Sequence, residues 1–164
     1  MRVLKLFIIS AIIIFIVLLA ISLLLPSHVR ISRAINIAAP VEKINPHIAD
    51  LGKWHEWNAL LADTSVKTGS VKPQHINTNR FDIYLESAKP DSISTRWVQP
   101  NGKQFTGSFS CIPGGGTTIV QWYFDFHLRW YPWEKFASII YDEQMGPGME
   151  KSLTQLKSLV ETSQ

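Results

Sequence analysis

PWEKFASIIYDEQMGPGMEKSLTQLKSLVE, residues 132–161, decides how this chain folds. At helical spacing, Trp133, Phe136, Ala137, Ile140, Met145, Met149, Leu153, Leu156 and Val160 fall on one stripe. Glu134, Lys135, Asp142, Glu143, Glu150, Lys151 and Lys157 lie largely off it. The pattern predicts one long amphipathic helix. Pro132 suits a first helical turn, whereas Pro147, set between Gly146 and Gly148, has no N–H to donate and is expected to kink or briefly interrupt the helix. A stripe this wide and bulky needs a sheet to cover it, because one partner helix leaves much of it in water.

The middle of the chain supplies that sheet. Val29, Ile31, Ile35 and Ile37 alternate with polar or small residues, the mark of a half-buried strand. Pro40 is placed to open a short helix that Pro46 should cut or bend, and a second short turn runs through Trp54-His55-Glu56-Trp57. Residues 64–79 are polar and punctuated by Gly69 and Pro73, consistent with one or two irregular edge strands. Alternation returns with Phe81, Ile83 and Leu85, then over 93–98. The Pro100-Asn101-Gly102 turn follows, with Asn-Gly expected to supply positive φ angles. Phe105, Gly107, Phe109 and Cys111 form the next alternating set. After Gly114-Gly115-Gly116, Val120, Trp122, Phe124 and Phe126 share one face of a last strand.

Upstream, residues 6–25 read LFIISAIIIFIVLLAISLLL, without a charge. That length matches the ~20 residues a helix needs to cross a ~30 Å hydrocarbon core. Leu6 to Leu25 is therefore expected to span a membrane. A cleaved signal is the alternative, since Arg2 and Lys5 form a basic n-region and Ala20 and Ser22 are small, but the apolar run outlasts the ~7–15 residues of a signal core. Arg2, Lys5 and the terminal amine flank one side, Arg30 and Arg33 the other, so the positive-inside count is close to even. A short basic N-terminus favours a cytoplasmic start, with the domain outside, on the periplasmic side if the organism is bacterial.

The remaining residues make one domain by length. A net charge of +3, carried by scattered basic residues, argues against a nucleic-acid partner. Cys111 is the single cysteine, which excludes an internal disulfide.

Three motifs in order carry a family resemblance. They are the strand running into Ala39-Pro40-Val41-Glu42-Lys43-Ile44, the turn Leu51-Gly52-Lys53-Trp54-His55-Glu56-Trp57-Asn58, and the closing Gly146-Pro147-Gly148-Met149-Glu150-Lys151-Ser152-Leu153 with Leu156-Lys157. The chain resembles the SRPBCC superfamily, also called START-like or Bet v 1-like, and within it the polyketide cyclase/dehydrase type. Asn58-Ala59 stands where a proline is common, and Ser152 replaces a usual glycine. The resemblance implies an α+β helix-grip fold, a curved antiparallel sheet wrapped around a long C-terminal helix, over 29–162, preceded by a transmembrane anchor and flanks over 1–28. It also implies a mostly apolar cavity between sheet and helix. Members bind lipids, sterols, polyketides or other hydrophobic small molecules, and a minority catalyse.

Phe81, Trp97, Phe109, Trp122, Phe124, Phe136, Ile140, Met145 and Met149 are the residues expected to line such a cavity. Aromatic side chains equally fill cores, so that reading stays open beside it. His28, His47, His55, His75 and His127 never fall at metal-ligand spacing, the Gly114-Gly115-Gly116-Thr117 run lacks the Lys-Ser/Thr of a phosphate loop, and no serine sits in a nucleophile elbow. No catalytic residue, metal or cofactor is therefore expected. Arg80, Asp82, Arg96, Asp125 and His127 could meet as a polar cluster, but by alternation most belong to the face opposite the bulky apolar residues, a solvated outer face. Three roles remain: binding, transport or sensing of a hydrophobic molecule or lipid at a membrane; cyclase or dehydratase chemistry; or a membrane-tethered protein adaptor. An apolar cavity without inward acids or bases marks the first, an inward acid or base the second, and a closed interior with an exposed aromatic patch the third.

Overall fold

The computed structural model describes residues 2–162; Met1, with the terminal amine weighed above for orientation, and Ser163 and Gln164 lie outside them. Helix α1 (Arg2–Leu24) leads into β1 (His28–Ile37), and α2 (Val41–Ala49) and a 3-10 turn (Leu51–Glu56) follow. The meander is β2 (Thr68–Lys72), β3 (His75–Thr78), β4 (Asp82–Ala88), β5 (Ser92–Val98), β6 (Gln104–Gly114) and β7 (Thr117–His127). Helix α3 (Pro132–Ala137), a 3-10 turn (Ser138–Ile140) and α4 (Tyr141–Thr162) close the chain. Seven strands form one antiparallel sheet in the order β1-β7-β6-β5-β4-β3-β2, and β1 pairs β7 from His28↔His127 to Ile37↔Thr118. Register shifts at Thr68/Ser70 and Leu85/Ser87 add the local twist that bends the far half of the sheet.

Helix α4 lies on the concave face beside β1. Met149, Ser152, Leu153, Leu156 and Val160 are its buried residues along with Gly146, at the i, i+3, i+4 spacing of one face. Arg33 of β1 reaches across to Glu150 at 2.6 Å and Asp142 at 2.9 Å, and Glu161 Oε1 accepts from the Ala38 N–H at 2.8 Å. The α+β helix-grip architecture is thus the observed one.

The closing helix departs from its expected form. It breaks at 138–140, and α4 runs through Pro147 without interruption. Gly146 and Gly148 serve close approach: a Cβ at Gly146 would collide with the Arg33 guanidinium, and one at Gly148 with Leu60. Helix α2 likewise continues through Pro46, with Ile44 and Ile48 both buried. In the β5–β6 turn only Gly102 takes positive φ (79°), while Asn101 accepts from the Lys103 N–H at 3.0 Å through its side chain.

Helix α1 stands apart, its apolar side chains mostly exposed. The stretch Val3–Leu24 is 22 residues long and apolar enough to cross a bilayer, a property it shares with signal sequences.

Candidate functional site

The 3-10 turn after α2 aims two tryptophans at the sheet. Trp54 donates to Ile48 O at 2.9 Å and Trp57 to His47 O at 3.1 Å, which satisfies both indoles while their rings enter the core. There Trp54, Trp57, Trp97, Trp122, Phe109 and Phe124 are all fully buried. Phe109 stacks on Trp122 at 4.9 Å, Trp54 lies 5.8 Å from Phe109, and Trp97 meets Phe124 edge-on at 5.1 Å. The rings share one core with Met149, Leu153, Leu156 and Val160 of α4. A polar relay threads this cluster, in which the Trp97 indole donates to Thr95 Oγ1 at 3.0 Å and the Thr95 hydroxyl donates to Gly107 O at 2.8 Å. The indole N–H of Trp122 and the side-chain N–H groups of Asn58 are buried without a partner.

Of the residues expected to line a cavity, Trp97, Phe109, Trp122, Phe124 and Met149 are brought together in this core, and Phe81, partly exposed, packs tilted against Trp97 at 4.9 Å. Phe136 and Ile140 do not join them. They sit on α3 and the turn after it, where Ile140 is exposed and Phe136 half-buried, because the helix breaks before it reaches the sheet. Met145 borders open space instead. It lines a groove of about 320 Å³ at the end of the sheet where β6 starts and β7 finishes. Phe105, Phe126, Leu128, Tyr141 and Met145 are its apolar lining, with Phe105 stacked on Phe126 at 4.7 Å and Tyr141 4.9 Å from Phe126. Gln99, Lys103, Gln104, His127, Arg129, Glu134 and Gln144 are its polar lining. Phe105 and Phe126 belong to the same alternating faces as Phe109 and Trp122, so the signal for the apolar lining is the strand-end members of those sets, next to the Asn101-Gly102 turn.

The one carboxylate at this groove is held. Glu134 pairs with Lys103 at 2.9 Å and accepts from the Arg129 N–H at 3.1 Å, and the Lys103 bond keeps its carboxyl below the ordinary glutamate range. On the outer face Arg30 grips Asp125 at 2.6 and 2.8 Å and holds that carboxyl low as well. Burial pushes the Cys111 thiol up to about 11, so it stays protonated and unreactive at neutral pH.

A family profile described as "Polyketide cyclase / dehydrase and lipid transport" matches residues 28–161. The chain belongs to this family. Several solved structures share its fold. A Nitrosospira multiformis protein superposes with a TM-score of 0.61 at 17% identity, over 83% of this chain and 100% of the other. Norcoclaurine synthase from Thalictrum flavum, in complex with dopamine and hydroxybenzaldehyde, gives 0.60 at 10% identity, over 84% and 88%. CalU16 from Micromonospora echinospora gives 0.57 at 12%, over 80% and 73%. At these identities the likeness is one of fold. No curated protein matches the sequence. Within the polyketide cyclase/dehydrase family pattern, Ser152, which stands at the position of a usual glycine, is accounted for: it is buried, accepts from the Ala59 N–H at 2.9 Å and donates to Gly148 O at 2.6 Å, which ties the tryptophan turn to α4.

Proposed function

We propose that this chain is a membrane-anchored member of the family that binds and carries, or senses, a hydrophobic small molecule or lipid in the groove between the β6/β7 end of the sheet and the start of α4. The domain then lies on the extracytoplasmic side of the membrane. The observation that carries this reading is the groove's make-up. Aromatic and thioether side chains share a lining of about 320 Å³ with a larger set of polar ones, a size and mix suited to a hydrophobic molecule that carries a polar group. Glu134, engaged by Lys103 and held as the anion, is poorly suited to trade protons with a substrate, which leaves His127 as the groove's remaining acid–base candidate and supports carriage over cyclase chemistry at Glu134. A filled interior and aromatic side chains exposed on α3 favour a second reading, a surface for another protein. Their place beside the end of α1 supports the bilayer as that partner instead.

Native mass spectrometry of the full chain, extracted from its own membrane, tests the groove. The expected result is a small-molecule adduct that Met145→Trp abolishes by filling the groove, with folding unchanged because Met145 is only partly buried. A chain free of adducts but tightly bound to a partner protein would refute the carrier.

A further inference from the structure

Helix α3 presents its apolar stripe away from the sheet. Trp130 and Trp133 are each 62% exposed, Ile139 65% and Ile140 46%. Trp133, Ala137 and Ile140 fall at i, i+4 and i+7, and Tyr131 stacks flat on Trp133 at 4.8 Å. The two charged residues of α3 are withdrawn from this face. Glu134 turns to Lys103, and Lys135, buried, donates to Leu25 O at 2.8 Å. A short helix that buries its charges and exposes its tryptophans is unfavourable in water.

Its location identifies what covers it. Ser22 Oγ of α1 donates to Trp130 O at 3.4 Å and Lys135 holds Leu25 O, so α3 is docked on the last turn of the apolar helix, beside exposed Leu23 and Leu24. That is the depth at which a helix leaves the hydrocarbon, where tryptophan and tyrosine, apolar in body and polar at one atom, concentrate.

We propose that Trp130–Ile140 is a second membrane-contact element, lying in the interfacial plane of the bilayer that α1 crosses, with Trp130, Trp133, Ile139 and Ile140 set among the upper acyl chains. The proposal rests on the anchored reading above and extends it. Glu134 of α3, and Tyr141 and Met145 just beyond it, wall the groove. Its mouth is thereby held at the headgroups, and a hydrophobic ligand passes between bilayer and groove without crossing bulk water.

The test uses the full chain reconstituted in phosphatidylcholine vesicles whose lipids carry bromine either just below the headgroup or near the bilayer centre. Bromine quenches tryptophan on contact, and Trp54, Trp57, Trp97 and Trp122 are shielded in the core. Shallow bromine is expected to lower the emission and deep bromine to lower it less. Trp130→Phe with Trp133→Phe should abolish that quenching while α1 keeps the chain on the vesicles through alkaline extraction. Equal emission in brominated and plain vesicles, from a wild-type chain that stays vesicle-bound, overturns the interfacial element and leaves the anchor standing; release of the chain by alkali overturns both. If the double variant misfolds, the shallow-against-deep comparison on the wild type decides alone.

Discussion

Gly107 shows how closely the interior is fitted. It sits in mid-β6, and a Cβ there would lie 2.7 Å from Phe124 Cε1, 2.8 Å from Trp97 Nε1 and 3.0 Å from Thr95 Oγ1. Those atoms belong to fully buried rings that meet edge-on and to the Thr95 relay, so they have little room to move. Gly107→Ala is expected to destabilise the fold by about 1–3 kcal/mol through overpacking. Gly146→Ala is the contrasting case, because its Cβ meets only the end of the Arg33 side chain. The ~1 kcal/mol gained in helix propensity then offsets a surface ion pair worth up to ~1 kcal/mol, and stability should barely change. Denaturant unfolding of both variants, followed by tryptophan emission, checks the pair; equal losses would mean that the aromatic cluster is looser than its geometry requires.

Among the elements, α3 depends most on a single ionised group. Glu134 joins it to the β5–β6 turn through Lys103 and to the chain before it through the Arg129 N–H. Because the folded state lowers the Glu134 pKa, its contribution is full above the ordinary glutamate value and is lost as pH falls through the lowered one. Glu134→Gln should therefore cost up to about 1 kcal/mol at neutral pH and nothing once the wild-type carboxyl is protonated. Thermal midpoints of the two chains should converge on acidification, and a gap that stays constant with pH would exclude this role. The same element marks the limit of what sequence can tell. The strands were legible because alternation in Phe81-Ile83-Leu85 and Val120-Trp122-Phe124-Phe126 has only one buried solution against a helix. The half of the closing helix from Met149 onward was legible for the same reason. The stripe Trp133-Ala137-Ile140 has the same spacing whether it faces a sheet or a lipid surface. Only the contacts to Ser22 and Leu25, more than a hundred residues away in sequence, show that this segment docks on α1 and not on the sheet. The groove escaped for a related reason, since Phe105 and Phe126 differ from their core neighbours only by standing at strand ends.

At the scale of the whole molecule, the connection between α1 and the domain is short and structured. Only Leu25, Pro26 and Ser27 separate α1 from β1, a reach of about 10 Å at full extension. Even that stretch is engaged, because Leu128 N–H donates to Ser27 O at 2.8 Å while Lys135 donates to Leu25 O at 2.8 Å. On the anchored reading proposed above, a domain so tethered stays close to the bilayer, and the groove and α3 are at the end of the domain next to α1, where β1 starts and β7 finishes. The signal-sequence alternative turns on length. The apolar run from Leu6 to Leu25 outlasts the ~7–15 residues of a signal core and passes Ala20 and Ser22, the small residues where a peptidase would cut. The segment is therefore expected to be retained. Peptide mapping by mass spectrometry of the protein from its native membrane should recover residues on both sides of Ser22 in one chain, and the chain should resist alkaline extraction. A mature N-terminus just after Ala20 or Ser22 would instead make the domain a released binding protein, leaving the exposed tryptophans of α3 to find some partner other than the bilayer.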